Sequence, residues 1–365
     1  MMVTPATLAS LTAGSRSAYH RTMDYVFLGR TGIRVSELCF GTMSFGGDAD
    51  EETSTALYAR CRDAGVNFFD TADVYAGGAS ERILGKLMAH ERDALVIASK
   101  AYFPTGKGPN DRGSSRYHLT RAVEASLRRL GTDRLDLLYL HYFDERTDPE
   151  ETLRGVELLV QQGKVLHPAL SNWSAWQSML ALGIQERQGW AKVACLQPMY
   201  NLAKRQAEVE ILPMAAAQGL GVCPYSPLGG GLLSGKYVGA GNAAASRDGA
   251  ADEAESVSGR IRDNAMYASR YADPREHETA ARFTRFAQER GVHPVSLAVR
   301  WVGSHPAVTS PILGARNVAQ LEPALESVKV EMTPELRAAV SALSPTPPLA
   351  TDRAEEASGL GYGAR

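Results

Sequence analysis

Three short apolar segments decide the fold of this chain: VNFFD (66–70), LVIASK (95–100) and LDLLYLH (135–141). Each is rich in Val, Ile, Leu or Phe, and segments with helical periodicity separate them. Apolar runs of this length are typical of strands that are buried on both faces of a parallel sheet. The sequence around them therefore predicts a repeated strand–helix pattern.

A polar residue ends each of the three segments. These residues are Asp70, Lys100 and His141, and Tyr75 follows five positions after Asp70. When a parallel sheet closes into a barrel, the C-terminal ends of its strands meet on one face, where active sites are built. We therefore expect an acid, an ammonium, an imidazole and a phenol to converge there. Such a group is suited to proton donation to a carbonyl oxygen.

The same alternation continues along the chain. The candidate strands are short and apolar, and they cover 36–41, 66–70, 95–99, 135–141, 165–171, 193–197, 220–225 and 307–313. The candidate helices cover 51–64, 80–89, 117–130, 149–162, 174–187, 204–218, 276–290, 294–303 and 317–328. Eight strand–helix units without a second composition boundary predict an α/β protein with a single (β/α)₈ TIM barrel. A doubly wound sheet is the alternative.

The two ends of the chain differ from this pattern. Residues 1–22 are rich in Ser, Thr and Ala and lack a continuous apolar core, which predicts a flexible N-terminal extension rather than a signal peptide. Two short apolar pieces around Arg30-Thr31-Gly32 then predict an N-terminal β-hairpin. The Pro- and Gly-rich residues 344–365 predict a flexible tail. The barrel domain is therefore expected over residues 23–343.

Two Gly-rich segments interrupt the repeat. Residues 102–115 follow the third predicted strand, and residues 228–275 follow the seventh. Irregular segments of this length inside a compact domain are usually functional loops. Both follow the C-terminal ends of strands, so we expect long loops on that face, where they form the walls of a substrate pocket.

Composition excludes several classes of function. The chain has 365 residues and a net charge of −2, so it lacks the positive surface that nucleic-acid binding requires. No apolar run reaches the length of a membrane-spanning helix, and no membrane association is expected. The cysteines have no metal-binding spacing, and we expect them to be buried, reduced thiols of a cytoplasmic protein. They are Cys39, Cys61, Cys195 and Cys223.

Seven ordered segments resemble the signatures of the aldo-keto reductases. They are GVNFFDTADVYAGGASERILG, LVIASK, DLLYLHYFD, the pair Ser171-Asn172, LQPMYNLAKRQAEVEILP, PYSPLGGGLLSGKY and TSPILGARNVAQL. The resemblance extends from about residue 25 to residue 330 and is closest to the bacterial long-loop branch, which also includes the potassium-channel β-subunits. It implies a (β/α)₈ barrel that binds NADP(H) and reversibly reduces a small-molecule carbonyl substrate.

The resemblance assigns catalytic roles that the chemistry of the residues supports. The pKa of a free tyrosine is about 10, and a nearby ammonium lowers it whereas burial raises it. Lys100 would supply the positive charge, Asp70 would hold Lys100, and Tyr75 would be the proton donor. His141 would hydrogen-bond to the carbonyl oxygen of the substrate and set its orientation.

The resemblance also implies cofactor contacts at the ends of most strands. Ser171, Asn172 and Gln197 carry groups that can bind a carboxamide, and Tyr225 can stack on the nicotinamide ring. Arg316 offers a planar guanidinium for a 2′-phosphate, which favours NADPH over NADH. The other implied contacts are Gly41, Thr42, Met43, Asp70, Ser226, Pro227, Leu228, Gly229, Lys236, Gly314 and Gln320.

Two local patterns refine this interpretation. Gly230-x4-Gly235-Lys236 is close to a P-loop, but Tyr237 replaces the Ser or Thr that magnesium requires, so nucleoside-triphosphate binding is rejected. Aldo-keto reductases commonly carry Asn at the position of Ala324, and we therefore expect modest cofactor affinity.

Two functions remain open. The first is an NADPH-dependent reductase of an aldehyde or ketone; the second is an NADP(H)-binding interaction or redox-sensor protein of the channel β-subunit type, with little turnover. A metal-dependent hydrolase is disfavoured, because among strand-end residues only His141 and Asp70 could be metal ligands. The aromatic residues that could line a substrate pocket are Phe45, Tyr75, Tyr102, Phe103, Tyr142 and Phe143. The sequence identifies neither the substrate nor the oligomeric state.

Overall fold

The computed structural model describes residues 23–237 and 259–353, whose strands form two sheets. An antiparallel hairpin contains Tyr25–Phe27 (β1) and Arg34–Ser36 (β2). The parallel strands are Cys39–Gly41 (β3), Phe68–Asp70 (β4), Val96–Ala101 (β5), Leu135–Leu140 (β6), Val165–Ser171 (β7), Cys195–Gln197 (β8), Gly221–Val222 (β9) and Ile312–Leu313 (β10). They are ordered β10-β3-β4-β5-β6-β7-β8-β9. The predicted hairpin and the predicted TIM-barrel fold are confirmed.

The two end strands of this sheet are also connected. The Ile312 amide donates a hydrogen bond to the carbonyl of Pro224 at 2.9 Å, which brings the β9 and β10 edges together. Both strands are shorter than the predicted strands 220–225 and 307–313. Pro224 follows β9 and Pro311 precedes β10, and proline has no amide hydrogen to extend a ladder.

Helices lie between the parallel strands. The helices of the described ranges are Glu51–Asp63 (α1), Ala79–Met88 (α2), Arg116–Leu130 (α3), Pro149–Gln161 (α4), Ala175–Gln188 (α5), Ile211–Gln218 (α6), Arg260–Asp263 (α7), Ala265–Arg270 (α8), Pro274–Glu289 (α9), Pro294–Gly303 (α10), Val318–Leu325 (α11) and Pro334–Ser341 (α12). The nine predicted helices are present. The helix predicted to begin at 204 begins at Ile211, because Pro213 fits only the first turn of a helix. The sequence pattern did not predict α7, α8 or α12.

Local sequence signals explain where several helices begin. The Asp148 side chain accepts a hydrogen bond from the Glu150 amide at 2.8 Å, and Pro149 occupies the first position of α4. Ser174 and Gln177 form a reciprocal capping box at the start of α5. These caps fix where each helix starts relative to the strand before it, and so position the strand–helix loops on the C-terminal face.

Side chains that alternate along the strands fill the barrel interior, and the hairpin closes its N-terminal end. This interior cluster contains Leu28, Val35, Cys39, Phe68, Val96, Ala98, Leu137, Tyr139, Ala169, Cys195, Cys223 and Ile312. Successive side chains of a strand point to opposite faces, so every second residue points inward. Two positions beyond Phe68, Ala98 and Tyr139 lie Asp70, Lys100 and His141. The fold therefore places these three side chains at the C-terminal mouth of the barrel.

The remaining predictions concern the cysteines, membrane-spanning helices and the two ends of the chain. The four cysteines are buried and unpaired, as predicted. No helix within 23–237 or 259–353 is long and apolar enough to cross a membrane. The predicted N-terminal extension (1–22), most of the predicted tail (344–365) and residues 238–258 of the long loop lie outside the described residues.

Candidate active site

A hydrogen-bonded cluster at the C-terminal face joins three of the four predicted catalytic residues. The Lys100 side chain is fully buried, and its Nζ donates to Asp70 Oδ1, to the carbonyl of Thr71 at 2.7 Å and to Tyr75 Oη at 3.2 Å. The other oxygen of Asp70 accepts a hydrogen bond from Gln197 Nε2 at 2.8 Å. Strands β4, β5 and β8 therefore hold the ammonium next to the phenol.

A strained turn carries the phenol to this position. Tyr75 begins a short 3₁₀ turn that ends at Gly78, and its amide donates to the carbonyl of Ala72 at 3.2 Å. The next residue, Ala76, has a φ of +47°, a left-handed conformation that costs free energy for a residue with a Cβ. The turn redirects the chain between β4 and α2 and keeps the Tyr75 hydroxyl against Lys100.

Burial and charge act in opposite directions on this pair. Burial raises the pKa of Tyr75, and the Lys100 ammonium only partly opposes that rise. Burial lowers the pKa of Lys100, but Asp70 and Tyr75 outweigh it, so the pKa of Lys100 is raised and the ammonium stays charged. Tyr75 therefore keeps its proton at neutral pH, beside a fixed positive charge that stabilises the phenolate left after donation.

The fourth predicted residue, His141, is an uncharged imidazole next to the phenol. Burial, together with the positive charge of Lys100, lowers the pKa of His141 to about 2. Its ring lies edge-on to Tyr75, with the ring centroids 6.1 Å apart. His141 Nδ1 is buried without a hydrogen-bond partner in the described part of the chain. A neutral imidazole has one donor and one acceptor nitrogen, so His141 can hydrogen-bond to a substrate oxygen without adding charge.

The residues predicted to bind the carboxamide form a network beside His141. Tyr225 Oη donates to Asn172 Oδ1 at 2.8 Å, and Asn172 Nδ2 donates to the carbonyl of His141 at 3.0 Å and to Ser171 Oγ at 3.1 Å. Ser171 Oγ donates in turn to the carbonyl of Gln197 at 3.1 Å. Asn172 has a φ of +59°, and its side chain is already used within the protein. The network fixes the orientation of Tyr225.

A pocket of about 660 Å³ opens above these residues and contains Tyr75 and His141 in its lining. The other predicted site residues in its lining are Gly41, Met43, Asp70, Ser171, Asn172, Gln197, Tyr225, Ser226, Pro227, Leu228, Lys236, Gly314, Arg316 and Gln320. Lys100 lies beneath the lining, and Gly229 lies behind it. Thr42 is also buried behind the lining, where its hydroxyl is 2.8 Å from Ser80 Oγ.

The predicted aromatic wall is only partly at the pocket. Phe103 and Tyr142 line it, in agreement with their predicted position. Phe45 is fully buried against Phe40, with ring centroids 5.8 Å apart, and Phe143 packs on Trp173 at 4.8 Å. Phe45 therefore belongs to the core, and Phe143 is a half-buried ring outside the pocket lining.

Positive side chains gather in another part of the pocket. Lys236, Arg260 and Arg316 all line it, and burial together with the two arginines lowers the pKa of Lys236. Asp48 pairs with Arg316 Nε at 3.1 Å and with Arg260 Nη2 at 3.7 Å. A Cβ built on Gly231 would lie 3.3 Å from Lys236 Nζ, so glycine keeps the space beside this ammonium open. Three cations in one concave region fit the phosphate groups of a dinucleotide.

Sequence reasoning missed one wall of the pocket. Met266, Tyr267 and Arg270 on α8 and Arg260 on α7 line it. They belong to the 228–275 segment, which was predicted to form a pocket wall but without any assigned structure. The one local signal was Asn264, whose side chain accepts hydrogen bonds from the amides of Met266 and Tyr267 and so caps α8.

Comparisons with known proteins agree with this geometry. Residues 37–344 match the Aldo/keto reductase family. The chain is 36% identical over 338 residues to an uncharacterized oxidoreductase, YrpG, of Bacillus subtilis, covering 89% of this chain and 97% of that protein. It is 35% identical to a probable voltage-gated potassium channel subunit beta of Oryza sativa, covering 90% and 99%. It is 30% identical to the versiconal hemiacetal acetate reductase of Aspergillus parasiticus, covering 86% and 94%. The chain belongs to the aldo/keto reductase family.

Proposed function

We propose that this protein is an NADPH-dependent reductase that converts an aldehyde or ketone into the alcohol, with Tyr75 as the proton donor. The observation that carries the proposal is the position of Lys100 Nζ, which lies 3.2 Å from Tyr75 Oη at the base of a pocket. A buried ammonium next to a phenol is costly to maintain unless its charge is used or paired. Here Asp70 forms an ion pair with the ammonium, and the positive charge of the ammonium stabilises the phenolate form of Tyr75.

Five side chains account for the proton that the carbonyl oxygen receives. The bound nicotinamide cofactor supplies the hydride. Tyr75 and His141 present a hydroxyl and a neutral imidazole to the carbonyl oxygen, which fixes its position before it becomes an alkoxide. Tyr75 then gives up its proton, and Lys100 stabilises the phenolate that remains. Asp70 and Gln197 keep Lys100 in place throughout, because neither can move without breaking a hydrogen bond.

The positive region supports NADPH as the cofactor. Arg316 lines the pocket with a planar guanidinium, and Asp48 pairs with its Nε at 3.1 Å. Lys236 and Arg260 lie in the same region. A guanidinium binds a phosphate through two parallel hydrogen bonds, which is the contact that a 2′-phosphate offers and NADH lacks. Four buried free thiols fit a reducing, cytoplasmic location.

The replacement Tyr75→Phe tests the proposal. We expect NADPH affinity to stay unchanged while turnover of small aldehydes falls by at least about 10²-fold, the usual contribution of a positioned general acid. Tyr117→Phe is the matched control, because Tyr117 is 62% exposed on α3 and lies outside the pocket. NADPH oxidation is followed for wild type and both variants. A Tyr75→Phe enzyme with wild-type turnover would remove Tyr75 from the mechanism.

A second function is favoured by one comparison. The relative named a probable voltage-gated potassium channel subunit beta matches 90% of this chain, and in this second function the protein binds NADP(H) mainly as a partner of another protein. The presence of all four catalytic residues favours the reductase. A protein that binds NADPH tightly but oxidises it with no member of an aldehyde panel would support the second function. A metal-dependent hydrolase has no support, since no group of three or more His, Cys, Asp or Glu side chains in the described ranges could hold a metal.

A further inference from the structure

One side of the pocket is a set of aromatic rings next to the catalytic imidazole. The Phe103 ring lies 4.8 Å from the His141 ring and 6.4 Å from that of Tyr142. Tyr102 supports both from behind, at 5.2 Å and 5.6 Å. Tyr142 is 47% exposed although it lines the pocket, so part of its ring is free to contact a ligand. A planar aromatic group can pack on these rings in the offset or edge-on arrangements that aromatic pairs prefer.

Helix α8 contributes a cation to the pocket. The Cζ atom of Arg270 lies 5.1 Å from the centroid of the Tyr267 ring and 5.9 Å from that of Tyr225. Its one hydrogen bond in the described residues is a weak contact from Nη2 to Met266 Sδ at 3.8 Å. No carboxylate of the described ranges forms an ion pair with it. The two tyrosine rings lie beside the guanidinium, and none of its N–H groups is taken by an oxygen acceptor in the described ranges, so they are available to an anion.

Arg270 shares the Tyr267 ring with Arg260, whose Cζ lies 5.8 Å from its centroid, but Arg270 also lies over Tyr225. Arg316 and Arg260 lower the pKa of Lys236, and Asp48 forms ion pairs with both arginines. Arg270 instead acts on Tyr225, whose hydroxyl donates to Asn172 beside His141. Burial raises the pKa of Tyr225, and Arg270, whose Cζ lies 5.9 Å from this ring, opposes that rise. Arg270, which has no ion pair within the described ranges, therefore lies on the side of the pocket that carries Tyr225, Asn172 and His141.

Within the proposed reductase function, we propose that the substrate is an aromatic aldehyde or ketone that carries a carboxylate, which Arg270 binds. The substrate ring packs on Phe103 and Tyr142, and its carbonyl oxygen meets Tyr75 and His141. Asp70 is the one acidic residue in the described lining, and its two oxygens are already bound by Lys100 and Gln197. With Lys236, Arg260 and Arg316 assigned to the cofactor phosphates, Arg270 is the cation of the described lining that remains for the substrate, which favours an anionic substrate over a neutral one of the same shape.

Two aldehydes of matched shape test this inference. 4-Carboxybenzaldehyde carries the anionic group, and 4-nitrobenzaldehyde replaces it with a neutral group of similar size. In Arg270→Gln, we expect kcat/KM for the carboxylate to fall about ten- to a hundredfold, the value of a charge-assisted hydrogen bond, while kcat/KM for the nitro compound stays unchanged. Arg270→Lys should recover part of the loss, because it restores the charge without the planar geometry. Arg262→Gln is the control, since Arg262 is exposed on α7 and outside the pocket.

The other outcomes separate this inference from the proposed function. Equal losses for both aldehydes in Arg270→Gln would show that Arg270 only supports the structure of α8. A loss of NADPH affinity of the same size would make it a cofactor contact; either result overturns the inference. If wild type reduces neither aldehyde, binding of 4-carboxybenzaldehyde in the presence of NADP⁺ is measured by calorimetry; the proposed function fails only if no member of the wider aldehyde panel is reduced. Tighter binding to wild type than to Arg270→Gln would still support the anion site, and equal binding would overturn it.

Discussion

Replacement of Asp73 by Asn should stabilise this protein at high pH and have a much smaller effect at low pH. Asp73 is 2% exposed, and neither of its carboxylate oxygens has a hydrogen bond of good geometry in the described residues. Burial and the nearby charge of Glu81 raise the pKa of Asp73 to about 7, although Arg129, the adjacent Val74 amide and Lys100 oppose the rise. The folded protein therefore buries a carboxyl group that is unfavourable whenever it is ionised.

The magnitude follows from the difference in pKa between the folded and unfolded states. The pKa of Asp73 rises from 3.8 to about 7, and each unit corresponds to about 1.4 kcal/mol. Between these values the folded state binds more protons than the unfolded state, so stability falls as the pH rises and stays low above about pH 7. The total cost is about 4 kcal/mol, of which about 3 kcal/mol develops between pH 5 and pH 8. Asn resembles the protonated carboxyl but does not titrate, so its advantage grows over the same range.

Urea unfolding at several pH values measures this effect. We expect the free energy of unfolding of Asp73→Asn to exceed that of wild type by about 3 kcal/mol more at pH 8 than at pH 5. Asp63→Asn is the control, because Asp63 is an exposed acid at the end of α1. A difference between Asp73→Asn and wild type that is constant with pH would refute the reasoning, since it would mean that Asp73 has the same pKa in both states.

Four further predictions concern catalysis and cofactor choice. The rate of aldehyde reduction should not change between about pH 5 and pH 9, because His141 is neutral and Tyr75 protonated throughout. Steady-state rates across this range check it. A change of rate with pH that is still present in Asp73→Asn would contradict it. Arg316→Ala should weaken NADPH binding about ten- to a hundredfold and leave NADH binding unchanged, as measured by fluorescence titration. Asp48→Asn should tighten NADPH binding by less than about fivefold, since an exposed ion pair contributes little, whereas an unchanged affinity would mean that Asp48 does not compete for Arg316. Lys100→Met should slow aldehyde reduction by at least about 10²-fold. The double variant Lys100→Met/Asp70→Asn leaves no unpaired buried carboxylate, so it should be as slow as Lys100→Met but more stable to urea than that single variant.

The sequence was sufficient to predict the barrel and the position of three of the candidate catalytic residues for one physical reason. Side chains alternate along a strand, and parallel strands end on the same face, so residues that follow apolar runs must meet. Asp70, Lys100 and His141 satisfy this rule directly. The position of Tyr75 does not follow from this rule, because a turn with a left-handed Ala76 carries Tyr75 back over the barrel. The left-handed geometry of that turn at Ala76 could not be predicted, because a residue with a Cβ rarely adopts it.

Loops obey no such rule, and the parts of the pocket that they form were not predictable. Helices α7 and α8 are four and six residues long, too short for an apolar period to be visible. The contact between Asp48 and Arg316 joins residues that are far apart in sequence, and no local pattern marks either as a partner of the other. The same is true of Phe45, which was expected in the pocket: its apolar ring fits the core equally well, and packing places it against Phe40.

The acid strength of Tyr75 depends on a balance that the fold sets at a distance. Burial alone would make the phenol a poor proton donor, but the same burial makes the field of Lys100 stronger than it would be in water. That field exists only while Lys100 is charged, and Lys100 is charged because Asp70 faces it from β4 and Gln197 holds Asp70 from β8. A change at Gln197 should therefore alter proton transfer without touching Tyr75. Gln197→Leu keeps the volume but frees one oxygen of Asp70, so it should slow reduction while aldehyde binding persists.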